Sequence, residues 1–407
     1  MRRFGFVGMI VLGLLFLCAC SSTSTTPATA TFTNPVAKAT TFQDKATFTN
    51  PVVKATTFQD KATSTTAPQA TQTPSAFPLS QPGSYLGGYQ EYIFIDESRG
   101  GRKIEITLWY PALKQPASNG YHIKKNAPVD WSGAPYQLIL TGSNSGDTIF
   151  TSHLATYGFV MVIIRSPDKY INYDLQTIEI PRDILFVLDH LANQPPEELV
   201  GLIDTDHAGI TGYSGDGYNS LAVSGARWNP EHYFSSCQNA PTSVENRSQL
   251  MIGIFCNAIT MWDEFAANAG EEITSSQDGL WQPLTDERIR AVAPLAPDGA
   301  WFFGERGLAE INIPVFIICG TQDEMPSYQY ETVFIYEHLK TTEKYLVSFI
   351  GESHLSMLQA DSVKRMNHFV TAFFGYYLQE RQDYAKYFSE DFVAQFDDLA
   401  WGVYLDE

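Results

Sequence analysis

Ser214 stands in the run Gly212, Tyr213, Ser214, Gly215, Asp216, Gly217, directly after the apolar stretch 208–211. A serine presented on a sharp strand-to-helix turn needs small neighbours, and Gly212 and Gly215 meet that need. A helix starting there aims its free N–H groups at the serine and steadies negative charge beside it. Serine is a poor nucleophile until a base takes its proton, and the base needs an acid to fix its tautomer. Two later segments supply both. The apolar run 315–319 leads into Gly320, Thr321, Gln322 and Asp323. The run 345–349 leads, after Ile350, into Gly351, Glu352, Ser353 and His354. The order Ser214, Asp323, His354, with each residue just past an expected strand, points to nucleophilic acyl transfer.

One position departs from the usual Gly-x-Ser-x-Gly pattern: residue 216 is Asp, and the next glycine comes one place later. Asp216 falls in the first turn of the expected helix, where a carboxylate is favoured, and its charge can raise the pKa of neighbouring groups. Glu324 is the alternative acid beside Asp323. His190, His338 and His368 lie in expected helices, while His153, His207 and His232 do not follow a strand where the order requires one. No set of His, Cys, Asp and Glu has metal-ligand spacing, and no glycine-rich nucleotide loop follows a strand. No metal or other cofactor is expected.

The elements that must position these residues alternate along the chain. The patterns predict strands at 89–95 and 103–110, joined by a turn at Ser98, Arg99, Gly100 and Gly101. Further strands are predicted at 137–141, 159–164, 208–211, 289–295, 315–319 and 345–349. Helices are predicted at 151–157, 184–191, from Gly217 onward, and at 363–378, the last with an aromatic face. Alternation of this kind implies a mainly parallel sheet flanked by helices on both faces, with sites at the carboxyl ends of the strands.

Several segments together resemble the α/β-hydrolase superfamily, and within it the esterases similar to dienelactone hydrolase and platelet-activating-factor acetylhydrolase. They are ITLWYPA at 106–112, LATYGFV at 154–160, the turn around Ser214, AVAPLAP at 291–297, IPV at 313–315 with Gly320 to Asp323, and the His354 loop. The similarity runs from about Gly83 to the end of the chain. It implies an α/β-hydrolase fold and a serine hydrolase cleaving carboxylic esters, with Ser214, Asp323 and His354 as its triad. It also implies an oxyanion hole built from the N–H of Gly215 and a second donor, Asn144 or Ser145. Relatives often read His-Gly at that second loop, where this chain has Ser143 and Asn144. Residues 227–288 form a long insertion carrying Trp228, Tyr233, Phe234, Phe255, Met261, Trp262, Phe265 and Trp281. In this fold such an insertion commonly caps the site, and an aromatic lining would favour an acyl or aromatic ester. The alternative is a peripheral subdomain packing its own aromatics. Two rival functions stay open: a catalytically inactive binding lipoprotein on the same scaffold, and a peptidase or amidase.

The N-terminus reads as an export signal. Arg2 and Arg3 precede an apolar run to Leu17, and Leu17, Cys18, Ala19, Cys20 resemble a bacterial lipobox with Cys20 as the lipidated residue. Residues 1–20 are thus expected to be a signal peptide, and acyl chains on Cys20 to hold the protein on the outer face of a bacterial membrane. Residues 21–82 are rich in Thr, Ala, Ser and Pro and contain a tandem repeat, ATFTNPVAKATTFQDK at 30–45 and ATFTNPVVKATTFQDK at 46–61. Such polar units bury no core, so a tether is expected there, with the hydrolase domain at 83–407. In an oxidising compartment Cys237 and Cys256, both in the insertion, are a candidate disulfide, while Cys319 sits in an apolar run as a buried thiol.

Composition sets the outer bounds. Of 407 residues, 44% are hydrophobic and 17% charged, which permits a sizeable core. The formal charge of −19 argues against a nucleic-acid partner, which needs a basic surface. The expected partners are a small-molecule or lipid ester and the membrane that the anchor reaches.

Overall fold

The strand β5 (Phe159–Arg165) shows how the sequence builds the core. Val160, Val162 and Ile164 face one buried layer, while Phe159, Met161 and Ile163 face another. A strand covered on both sides reads as a continuous apolar run, as this one does. In the computed structural model the described residues are 76–114, 124–143, 149–150, 152–168, 173–240 and 249–405. They belong to one unit, Thr71–Glu407.

Among the described residues ten strands make one sheet in the order β10-β9-β8-β7-β6-β4-β5-β2-β1-β3. The others are β1 (Leu86–Asp96), β2 (Arg102–Ala112), β3 (Lys124–Lys125), β4 (Tyr136–Gly142), β6 (Ile203–Tyr213), β7 (Ile289–Leu295), β8 (Val315–Gly320), β9 (Lys344–Phe349) and β10 (Leu399–Trp401). The run from β5 through β4, β6, β7 and β8 to β9 is parallel throughout. Strand β2 pairs antiparallel with both β1 and β5, and β10 antiparallel with β9. The protein is therefore α/β, with a mostly parallel mixed sheet flanked by helices, as the alternation of elements implies.

Helices α1 (Gln176–Asn193), α2 (Gly215–Val223) and α3 (Ala300–Leu308) contribute to the core on one face of the sheet. Helix α4 (Ala360–Tyr377) covers the other, with Phe369, Val370, Phe373 and Phe374 fully buried. Helix α1 begins eight residues before the predicted 184 and runs through Pro181. Proline cannot donate to the carbonyl four residues back. That carbonyl, on Thr177, accepts instead from the hydroxyl of Tyr218 on α2 at 3.0 Å. The helix predicted at 151–157 is shorter, His153–Thr156.

One feature differs from the domain map read off the sequence. The folded domain takes in residues before Gly83. Phe77 stacks on Phe396 at 4.4 Å, and Leu79 is buried with its N–H on His368 Nδ1 at 3.0 Å. These are two apolar side chains in a polar stretch, and burial decides where they go. Within the insertion 227–288, Trp228, Tyr233, Phe255, Phe265 and Trp281 are buried. Trp228 stacks on Trp281 at 5.4 Å and lies 5.2 Å from Phe302 of α3. These aromatics fasten the insertion to the α2 and α3 side of the domain. Cys237 and Cys256 are bonded to each other, and Cys319 is free and buried.

Candidate active site

Strand β6 ends at Tyr213 and helix α2 starts at Gly215, so Ser214 alone makes the turn. Its φ of 61° and ψ of −123° are a backbone conformation that non-glycine residues rarely adopt. Ser214 N–H donates to Leu295 O at 2.9 Å, and its carbonyl accepts from Gly217 N–H at 2.7 Å. The strained residue is thus held from the neighbouring strand and from its own helix. Its side chain stands at the carboxyl end of β6, the position where open α/β sheets form sites.

The acid and the histidine reach the same place from β8 and β9. Gly320 closes β8, and a Cβ there would lie 2.2 Å from Glu352 O, so only glycine lets the two loops approach this closely. Gln322 N–H then donates to Glu352 O at 3.0 Å, and Gly351 N–H to Thr321 Oγ1 at 2.9 Å. His354 Nε2 lies 3.1 Å from Ser214 Oγ, and His354 Nδ1 lies 2.8 Å from Asp323 Oδ2. Both Asp323 and His354 are 4% exposed. A carboxylate on Nδ1 selects the tautomer with its proton there, leaving Nε2 as the acceptor facing the hydroxyl. Burial pushes the Asp323 carboxyl above the usual carboxylate range, against the hydrogen bonds from His354 and from Met325 N–H that pull it down. Ser214, Asp323 and His354, singled out from order and strand ends, therefore converge.

The remaining sequence candidates fall as follows. Gly215 opens α2, where the first N–H groups of a helix lack intrahelical partners. Asn144, Ser145 and Cys20 lie outside the described residues. Asp216 occupies the first turn of α2, is 1% exposed, and accepts from Asn219 Nδ2 at 3.2 Å. Glu324, the alternative acid, meets the backbone N–H of His354 at 3.4 Å, while Asp323 holds the imidazole. His190 and His338 sit on helices, and His207 pairs with Asp204 at 2.9 Å. Among the described residues no group of three or more His, Cys, Asp or Glu is placed to hold a metal ion.

Two residues of this site carry no signal of their own in the sequence. Tyr213 is read there as the variable position of the turn, yet its hydroxyl donates to His354 O and its ring lies 4.9 Å from the imidazole. Cys319, expected as a buried thiol, has Sγ 3.7 Å from Asp323 Oδ2, and burial with that carboxylate pushes the thiol well up. The four-residue spacing from Cys319 to Asp323 hints at this contact only once the loop geometry is known.

The chain matches no protein-family model, and no curated protein matches it in sequence.

Proposed function

We propose that this protein is a serine hydrolase of the α/β-hydrolase fold that cleaves carboxylic esters. The observation that carries the reading is the relay from Ser214 Oγ to His354 Nε2 at 3.1 Å and from His354 Nδ1 to Asp323 at 2.8 Å. The fold assignment draws on the strand order. With the two-residue β3 and the three-residue edge strand β10 set aside, it runs 1-2-4-3-5-6-7-8 with the second strand antiparallel, and the serine, acid and histidine follow strands five, seven and eight.

In this reading His354 takes the Ser214 proton as the hydroxyl oxygen bonds the ester carbonyl carbon. The resulting oxyanion faces the N–H of Gly215 and the start of α2. Collapse of the tetrahedral species breaks the bond to the alkoxy group, which leaves with the proton from His354. Water then attacks the acyl-enzyme, giving its proton to His354, and Ser214 departs with that proton while the carboxylic acid is released. Asp323 keeps the imidazole oriented and stabilises its charged form.

The test is hydrolysis of short p-nitrophenyl esters with labelling by a fluorophosphonate. The parent chain is expected to turn over and to be labelled at Ser214, and Ser214→Ala to lose both. A parent chain that is neither labelled nor active on esters of any acyl length overturns the reading and leaves the inactive binding scaffold. Turnover of peptides in place of esters makes it a peptidase.

We further propose that the protein is an exported lipoprotein, on the strength of the Leu17 to Cys20 sequence and the polar repeats after it. Cys20→Ser is expected to release it from the membrane fraction of a bacterial host.

A further inference from the structure

We propose that Tyr213 is the positioning residue that ties the backbone of His354 to the strand carrying Ser214. The inference rests on the reading of Ser214, His354 and Asp323 as a triad. It comes from the placement of one side chain. Tyr213 is the last residue of β6, directly before Ser214, and is 2% exposed. Its hydroxyl donates to His354 O, and its ring packs at 4.9 Å and 37° against the imidazole of the same residue. One rigid ring thus holds both the main chain and the ring face of His354.

The other hydrogen bonds of this loop do not do that. Gln322 N–H to Glu352 O and Gly351 N–H to Thr321 Oγ1 join the histidine loop to the acid loop. Ser353 N–H to Ser356 Oγ, 2.7 Å, is local to the loop itself. The N–H of His354 meets Glu324 Oε2 only at 3.4 Å. Acid and base therefore move together, and Tyr213 sets where that pair stands relative to the serine. Adjacent Cα atoms are about 3.8 Å apart, so Tyr213 and Ser214 form one short rigid span. A misplacement of about 1 Å between reacting groups costs on the order of a hundredfold in rate, so such a span matters. The phenol itself is no acid or base here. Its proton is committed to a carbonyl, and Asp323, Glu324 and Glu352 all raise its pKa on top of burial.

The experiment compares Tyr213→Phe and Tyr213→Leu with the parent chain in ester hydrolysis, in fluorophosphonate capture, and in the downfield proton resonance of His354 Nδ1–H. Tyr213→Phe keeps the ring and loses the hydrogen bond. It is expected to lower kcat and the capture rate alike by about tenfold, to leave KM within about twofold, and to broaden the resonance. Tyr213→Leu loses the ring as well and is expected to fall further. A Phe variant with parental kcat and an unchanged sharp resonance overturns the proposal. A parent chain inert to esters overturns the hydrolase reading instead, and the resonance then decides this one: broadening supports it, no change refutes it. Should Tyr213→Phe fail to fold, the hydroxyl proton of Tyr213 in the parent chain decides. Slow exchange and cross-relaxation to the His354 ring support the tie, and their absence removes it.

Discussion

Gly142, at the end of β4, leaves open the volume that the Asp216 carboxylate fills: a Cβ on Gly142 would lie 1.8 Å from Asp216 Oδ1. The usual turn pattern places a glycine at position 216 to make room beside a neighbouring strand. This chain places the glycine on the strand and the larger side chain on the turn, so the clearance is kept with the roles exchanged. Gly142→Ala is expected to destabilise the fold by about 2 kcal/mol, the order of an overpacked core, with a matching loss of esterase activity. Adding Asp216→Gly is expected to restore both, because the removed carboxylate returns the space. Urea unfolding of the two single variants and the double variant measures the coupling. Additive effects would show that the two residues do not compete for this space.

Asp323 illustrates a site group whose charge works against the fold. Burial raises its pKa, so the native state holds a proton more readily than the unfolded chain does, and above that pKa the carboxylate costs stability. Asp323→Asn removes the charge at every pH. Its amide can also turn an N–H toward His354 Nδ1 and select the tautomer with Nε2–H, which cannot accept from Ser214. The expected outcome is a loss of about 10⁴-fold in kcat with no fall in melting temperature at pH 8. Ester turnover and thermal unfolding on the same preparation test the pair of effects; a lower melting temperature would contradict the argument.

How far the sequence reaches depends on which force sets each feature. The parallel strands were legible because both their faces are buried, so β7 matches its predicted bounds residue for residue and β8 and β9 each differ by one. The convergence of Ser214, Asp323 and His354 was legible because the proposed chemistry asks for these residue types and the sheet topology for this order. The start of α1 was not, since Pro181 reads as a break until Tyr218, far along the chain, supplies the missing donor. Strands β3 and β10 were missed because two and three residues carry no period. The aromatics of the insertion were legible as apolar surface, but their direction was not. Trp228 and Phe265 turn toward Phe302 and Trp281, a tertiary choice that spacing does not encode.

The bond between Cys237 and Cys256 closes a segment of sequence separation 19. Phe255, beside Cys256, is buried, and its carbonyl accepts from the Tyr233 hydroxyl at 2.9 Å, so the bridge and the aromatic cluster hold the same chain ends. A loop of this length constrains the unfolded chain by about 3 kcal/mol. Reduction, or Cys237→Ser with Cys256→Ser, is expected to lower stability by about that amount. The distance from Ser214 to His354 is set by other strands, so kcat below the unfolding transition is expected to stay unchanged. Thermal unfolding and ester turnover with and without reductant check both halves; a loss of activity in the folded reduced protein would place the insertion in the working site.

Acid should loosen the domain through His153 and His368, a half-buried and a buried histidine on the helices that receive the Leu79 segment. Burial pulls His153 down to about 4 and His368 down to about 3. Leu79 N–H donates to His368 Nδ1, a bond that requires this nitrogen to be unprotonated. The direction follows from proton counting. Above the ordinary histidine value of about 6.5, neither the native nor the unfolded chain is protonated there, and these residues contribute no pH dependence. Between about 6.5 and the lowered native values, the unfolded chain binds protons that the native state refuses, so stability falls with pH. Each histidine accounts for about 1.4 kcal/mol per pH unit in that window. The ion pairs that hold carboxyls below their usual values, such as Asp278 with Arg227, add to the loss only at lower pH, below the ordinary carboxylate range. Asp323, whose raised pKa acts in the opposite sense, offsets part of this loss. With several histidines against one carboxyl, urea midpoints measured from pH 7.5 to 4.5 are expected to decline from about pH 6.5 downward. His368→Gln, which retains a polar side chain without the titration, is expected to reduce that slope by about 1.4 kcal/mol per pH unit. His153 and the other histidines held low by burial, His190 and His232, keep the rest. An unchanged slope in His368→Gln would assign the acid sensitivity to other groups.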